Sequence, residues 1–372
     1  MRILAITSKF SGVGYHRIMM PLVNMQKDYC LITDTINEAV FDNNYDIVIF
    51  NRFLAHTEIS MLEDMRNKYN FKLVVDNDDY WILPPSHILY NRYRDSDVTQ
   101  RITDFIRIAD LCTCTHERLA EEIAVYNPNV EILPNAIPYG KEQFQDNKIE
   151  SDMVRLFWSG SGTHVPDLDI LRQPMKKINF PVKTVIAGYN LGEKHLWDRM
   201  IGVFTNGLKL NPTIYDYAEI TKYMGAYADS DISLIPLVEN KFGSMKSNLK
   251  VLETAAKKNP AIVSNVHPYK NMPVCYVNNQ TDWYKWIKLL TFDEAARIEY
   301  GQKLFEFCER EFNFEAGQLA AADAGGIEGF QNGAVAQTER IADVGDGEDG
   351  TGFAEAERLL GKVLFLARQF EF

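Results

Sequence analysis

The stretch "DISLIPLVENKFGSMKSNLKVLETAAKKNPAIVSN", residues 231–265, decides how the rest of the chain is read. It opens on an apolar run, "DISLIPL" (231–237), and closes on another, "PAIVSN" (260–265). Between them Leu249, Leu252, Ala255 and Ala256 recur at helical spacing, and Asn259-Pro260 stops the helix. Apolar strands joined through a helix belong to a parallel sheet covered on both faces. The same stretch poses a chemical question. Lys246, Lys250 and Glu253 fall at i, i+4 and i+7, on one helical face. Lysine near a helix start faces a partial positive charge, a mismatch on the order of a few tenths of a kcal/mol. A bound anion would remove it, because N–H groups at a helix start hold phosphate and lysine adds point charge. The plain alternative is a solvated charged face.

The pattern extends in both directions. Upstream, strand-like "RILAIT" (2–7), "YDIVIFN" (45–51), "FKLVVDN" (71–77), "DLCTCT" (110–115) and "EILPNAI" (131–137) alternate with helical segments at 15–25, 58–69, 99–109 and 116–126. A polar run, "YGKEQFQDNKIESD" (139–152), separates two domains, 1–145 and 151–313. In the second, strands at 154–160 and 182–189 alternate with helices near 166–177 and 217–230 ahead of the opening stretch. Helices near 281–291 and 293–311 follow it. The expected fold is α/β, with two doubly wound Rossmann-like domains. Residues 316–352 hold 9 of the 22 glycines and one aromatic residue, which is poor core material and predicts a loosely ordered segment. Residues 353–372 read as an amphipathic helix.

Composition narrows the function. Of 372 residues, 46% are hydrophobic and 24% charged, and no apolar run reaches the ~18 residues of a membrane helix. The start, "MRILAITSKF", reads as a strand and not as a signal peptide, so a cytoplasmic protein is expected. Five scattered cysteines form no CxxC pair, which indicates neither a disulfide framework nor a zinc site. The net charge of −12 opposes a broad nucleic-acid surface, although residues 316–372 contribute half of it.

Ligands of parallel α/β sheets bind beyond the carboxyl ends of the strands, so four polar clusters there carry the functional reading. "SGVGYHR" (11–17) follows the first strand, and Gly12 and Gly14 permit close backbone approach. Arg17 stands where a dinucleotide fingerprint needs its third glycine. "VVDNDDYW" (74–81) places Asp76, Asp78 and Asp79 after one strand; clustered carboxylates hold a cation, accept hydroxyl protons, cap a helix or line a solvated loop. Asp76-Asn77-Asp78 also fits the DxD pattern of metal-dependent sugar transferases. "WSGSGTH" (158–164) gathers Ser159, Gly160, Ser161, Gly162, Thr163 and His164, donors suited to an anion or to a simple polar cap. The opening stretch is the fourth. Two donor-rich strand ends in one domain fit a single diphosphate.

Taken in order, "SGVGYHRIMMPL", "DNDDYW", "ADLCTCTHERLAEEI", "ILPNAI", "FWSGSGTHVPDL", the opening stretch and "IVSNVHPYKN" resemble the GT-B-fold glycosyltransferases. The likeness is to the retaining family-4-like group (glycosyl transferases group 1) that includes sucrose synthases and bacterial mannosyltransferases, over residues 1–313. It implies two Rossmann-like domains facing a cleft, a nucleotide-diphosphate sugar bound mainly by the second, and transfer to an acceptor hydroxyl with retention. Glu253 matches the glutamate that holds the ribose, and Gly12 and Gly14 match the glycine loop near the donor phosphates, beside Arg17. The family's earlier glutamate falls on Met245, with Glu239 as a substitute, and its usual arginine and lysine are replaced by "SGSGTH". Lys246 and Lys250 then carry the diphosphate without a metal or other cofactor, and Asp78 and Asp79 lie on the acceptor side. Polysaccharide, lipid-linked sugar, protein and modified DNA base are the open acceptors for such a hexosyl- or pentosyltransferase. A non-catalytic nucleotide-sugar-binding protein, an epimerase and a phosphorylase are the rival readings of the fold.

Overall fold

A computed structural model describes residues 2–7, 12–24, 29–32 and 45–314. The segments expected at 316–352 and 353–372 lie outside the described residues. The chain divides into two compact units. One holds the described residues up to 78, with 100–134 and those from 311 onward; the other holds 79–99 and 135–310.

The first unit is built on β1 (Ile3–Ile6), β2 (Tyr29–Ile32), β3 (Ile47–Asn51), β4 (Lys72–Asn77), β5 (Leu111–Cys114) and β6 (Val130–Ile132). All pair in parallel, in the order β2-β1-β3-β4-β5-β6. β1 and β5 are buried at every position, which is why they read as unbroken apolar runs without strand alternation. Amphipathic crossover helices Ile59–Tyr69, Val98–Ile108 and Glu117–Ala124 cover the sheet. Residues 12–24, in place of an open glycine loop before a helix, are helical throughout, with a π turn at Tyr15–Met19.

The second unit repeats the plan with β7 (Arg155–Ser159), β8 (Lys183–Tyr189), β9 (Thr213–Asp216), β10 (Ile232–Ile235), β11 (Ala261–Ser264) and β12 (Cys275–Val277), in the order β12-β11-β10-β7-β8-β9. Every pairing is again parallel. The winding reverses between β7 and β10, so the loops leaving these two strands part there and open a crevice. Trp158, Trp197 and Trp283 anchor the core beside Leu156, Ile232 and Ile262.

Three departures from the sequence reading have plain causes. The helix expected near 166–177 is cut into short turns, Val165–Leu168, Asp169–Leu171 and Arg172–Lys176; Pro174 lacks the N–H that a continuous helix would donate to Ile170 O. The segment 217–230 is helical only over Met224–Ala228; its start extends β9, with the Tyr217 N–H donating to Tyr189 O at 2.8 Å. β9 and β12 are short, and β9 is mostly exposed, so neither carries a long apolar run. The polar stretch 139–152 is packed on the second unit. Phe144 is buried, the Tyr139 hydroxyl donates to Leu252 O at 3.1 Å, and the Lys257 ammonium donates to Gln143 O (2.9 Å), Gln145 O (2.7 Å) and the Asn147 side chain.

Candidate functional site

The β7–β10 crevice collects most of the expected donor-side residues. After β10, Asn240 Oδ1 accepts from Gly243 N at 2.7 Å and starts a short helix, Lys241–Ser244. A Cβ on Gly243 would lie 2.1 Å from Val238 O, so only glycine fits this turn. Met245 is buried, and Glu239 is exposed just ahead of Asn240. The following helix runs from Leu249 to Ala256, which leaves Lys246 in the turn before it. The expected i, i+4, i+7 face therefore holds only for Lys250 and Glu253.

The two lysines differ. Lys246 is committed: its Nζ lies 2.5 Å from Asp79 Oδ2 and 4.5 Å from the Phe242 ring centroid. The Lys250 ammonium has no hydrogen bond or ion pair among the described residues; its Nζ lies 5.5 Å from the Trp158 ring centroid. Burial pushes its pKa down to about 8, and Lys246 adds to this against the pull of Asp167. A small cavity between β7, β10 and the helix is lined by Lys250, Ser159, Tyr227, Ser233 and Thr254. Ser233 Oγ is buried there without a partner.

The loop after β7 is less open than its glycines suggest. The Gly160 N–H donates to Ala187 O at 3.1 Å, and a Cβ on Gly160 would strike the Trp158 ring at 2.7 Å. Gly160 thus seats the strand end and has no N–H left for an anion. Ser161 and Thr163 hydroxyls bond each other at 2.7 Å. His164 Nδ1 meets Asp167 Oδ2 at 2.8 Å, and Asp167 Oδ1 accepts from Val238 N at 2.8 Å, tying the two loops together. Burial and then Lys250 depress the His164 pKa to about 4, so the ring is neutral near pH 7.

Glu253 is 6% exposed and accepts a phenol on each oxygen: Tyr223 Oη at 2.7 Å and Tyr227 Oη at 2.5 Å. Tyr227 Oη also lies 2.8 Å from Ser159 Oγ. These tyrosines were absent from the sequence reading. Their i, i+4 spacing in "YMGAY" is the available signal, within the stretch 217–230 expected to be helical.

In the first unit the strand-end charges are paired with each other. Arg17, its side chain 5% exposed, donates from Nε and Nη2 to Asp76 Oδ1 at 3.1 and 2.6 Å and from Nη1 to Leu133 O at 2.6 Å. Asp76 also accepts from Asn51 Nδ2 (2.9 Å) and Thr113 Oγ1 (2.8 Å). Asp78 Oδ1 accepts from Arg52 Nε and Nη2 at 3.0 and 2.9 Å. Burial alone would raise the Asp78 pKa, but the Arg52 guanidinium overrides it and holds the carboxyl below the usual range. Gly12 and Gly14 lie on the first helical turn, and a Cβ on Gly12 would meet open space.

No protein-family model matches the chain, and no curated protein sequence matches it. Solved structures do. The Anabaena Alr3699/HepE structure in complex with UDP and glucose aligns over 88% of this chain and 100% of that one, at 11% identity and a TM-score of 0.62. A glycosyltransferase from Rickettsia africae ESF-5 aligns over 85% and 95%, at 13% identity and a TM-score of 0.57. An E. coli trehalose-6-phosphate structure bound with UDP-2-fluoro glucose aligns over 83% and 96%, at 12% identity and a TM-score of 0.55. The chain therefore has the GT-B fold of two Rossmann-like sheets, seen in structures of glycosyltransferases. Among the described residues, no helix is long and apolar enough to cross a membrane.

Proposed function

We propose that this protein is a glycosyltransferase that moves a sugar from a nucleotide-diphosphate sugar to an acceptor hydroxyl, with retention and without a metal. One observation carries the reading: Lys250 holds a partly buried ammonium with no carboxylate bonded to it, at the strand-order reversal of a Rossmann-like sheet. A cation in that position favours an anion, and the charge on a leaving diphosphate grows in the transition state. The GT-B neighbours crystallised with UDP or a UDP-sugar support a nucleotide donor.

In this reading Lys250 meets the diphosphate directly, and Lys246 joins it from its pair with Asp79. Ser159, Ser161 and His164 line the donor side with Glu239, and Glu253 takes the ribose. Gly12, Gly14 and Arg17 shape the first unit's strand end. Asp78 and Asp79 are the candidates for the acceptor hydroxyl, as hydrogen-bond acceptors and not as strong bases. Metal independence is supported by Asp76: coordination would have to displace Arg17, Asn51 and Thr113 from one buried carboxylate. Free, buried thiols at Cys112, Cys114, Cys275 and Cys308 accord with a cytoplasmic setting.

The test is turnover of a panel of nucleotide-sugars, with and without excess EDTA. Sugar-nucleotide cleavage that persists in EDTA supports the proposal. Loss in EDTA restored by manganese would return Asp76 and Asp78 to the role of a metal-binding pair. Nucleotide-sugar binding with no turnover would make the protein a binding subunit.

A further inference from the structure

We propose that Tyr227, together with Tyr223, is a positioning pair for nucleotide recognition: it fixes the Glu253 carboxylate and locks it to the loop after β7. The proposal rests on the donor-site reading above and names residues that reading does not include. The argument starts from burial. Tyr227 is 2% exposed, so its hydroxyl must find partners inside the protein. It finds two, Glu253 Oε2 at 2.5 Å and Ser159 Oγ at 2.8 Å. A phenol has one proton, and the carboxylate is its stronger acceptor; Tyr227 therefore donates to Glu253 and accepts from Ser159. The Tyr223 phenol, half-buried at the start of the helix Met224–Ala228, donates to the other oxygen at 2.7 Å.

Two donors on opposite oxygens fix the rotation of a carboxylate, which a single donor leaves free. The ring positions are fixed in turn. Tyr227 packs on Phe157 of β7 at 4.5 Å between centroids, and Tyr223 packs edge-on against Phe144 at 6.4 Å. The chain Ser159–Tyr227–Glu253–Tyr223 thus runs from the β7 strand end to the middle of the helix that carries Lys250. The cavity at Lys250 is lined by two members of this chain, Ser159 and Tyr227, so cation and carboxylate are held in one frame. A nucleoside diphosphate presents such a frame with a diphosphate for the lysine and a ribose diol for the carboxylate.

Tyr227→Phe removes both hydrogen bonds and keeps the ring. The experiment is calorimetry with UDP, ADP and GDP, followed by the 2′-deoxy form of whichever binds, on the native protein, Tyr227→Phe, Tyr223→Phe and Tyr227→Leu. The native protein should prefer the ribose form by about tenfold or more, the worth of one hydrogen bond to a carboxylate. Tyr227→Phe should shrink that preference to about threefold or less, and Tyr223→Phe should shrink it less. Tyr227→Leu should also lower the melting temperature, which separates loss of the ring from loss of the hydroxyl. A Tyr227→Phe protein that weakens for ribose and deoxyribose forms alike would make the tyrosine merely structural and overturn the inference while leaving the donor site intact. Failure of all three diphosphates to bind would overturn both the inference and the donor-site reading.

Discussion

The two sheets share a plan and treat charge in opposite ways. At the strand ends of the first unit, Arg17 is paired with Asp76 and Arg52 with Asp78, at hydrogen-bonding distances. At the strand ends of the second, Lys250 carries a charge that no carboxylate bonds, His164 is held neutral, and Glu253 accepts from two phenols. Paired charges fix a backbone; a charge left without a counterion in a crevice is poised for a ligand. The sharpest form of the contrast lies within the second unit, between Lys246, paired with Asp79, and Lys250, whose ammonium has no ion pair among the described residues.

The largest effect should come from breaking the first unit's network. Arg17→Met leaves Asp76 buried without its guanidinium and should cost about 3–5 kcal/mol, read as a lower midpoint in urea denaturation. A midpoint close to that of the native protein would mean that the network contributes little. Glu253→Ala comes next. It removes the carboxylate acceptor of two phenols, one of them buried, and should destabilise the ligand-free protein by about 1–3 kcal/mol, even though alanine favours helix. Unchanged stability with weakened nucleotide binding would show that the tyrosines find other partners at once.

Part of this was legible in sequence. Apolar strands such as "ILAI" and "ISLI" could be read because parallel strands are buried on both faces, and the strand-end loops followed from where such sheets bind ligands. The lysines at 246 and 250 were equivalent in sequence. What separates them is Asp79, which is 167 positions away from Lys246 and whose contact no local pattern encodes. For the same reason Asp76, Asp78 and Asp79 read as one cluster of carboxylates, whereas each has its own cation. Gly160 read as an anion-binding glycine; packing against Trp158 and pairing with Ala187 explain its presence instead.

The lysines themselves sharpen the comparison at smaller magnitude. Lys246→Ala should destabilise the protein by about 1–2 kcal/mol, since Asp79 loses a charged hydrogen bond. Lys250→Met should leave the ligand-free protein as stable or slightly more so. Its pH signature has a definite sign. The folded-state pKa of Lys250 is about 8, below its ordinary value of 10.5, so between these values the unfolded chain binds more protons and stability rises with pH. Lys257 shares this limb, with its pKa pushed down by burial to about 8. Melting curves of the native protein and Lys250→Met from pH 7 to 10.5 should therefore converge as pH rises. Curves that stay parallel would show that the Lys250 ammonium is not strained in the fold.

The central claim is that Lys250 waits for the diphosphate of a nucleotide donor. Its most direct test is thermal unfolding of the native protein and Lys250→Met, each with UDP, ADP and GDP. The account predicts that one nucleotide raises the melting temperature of the native protein, and that the rise is mostly lost in Lys250→Met while its ligand-free melting temperature is held or increased. An equal nucleotide-dependent rise in both proteins, or a Lys250→Met protein that melts several degrees lower without ligand, would contradict it.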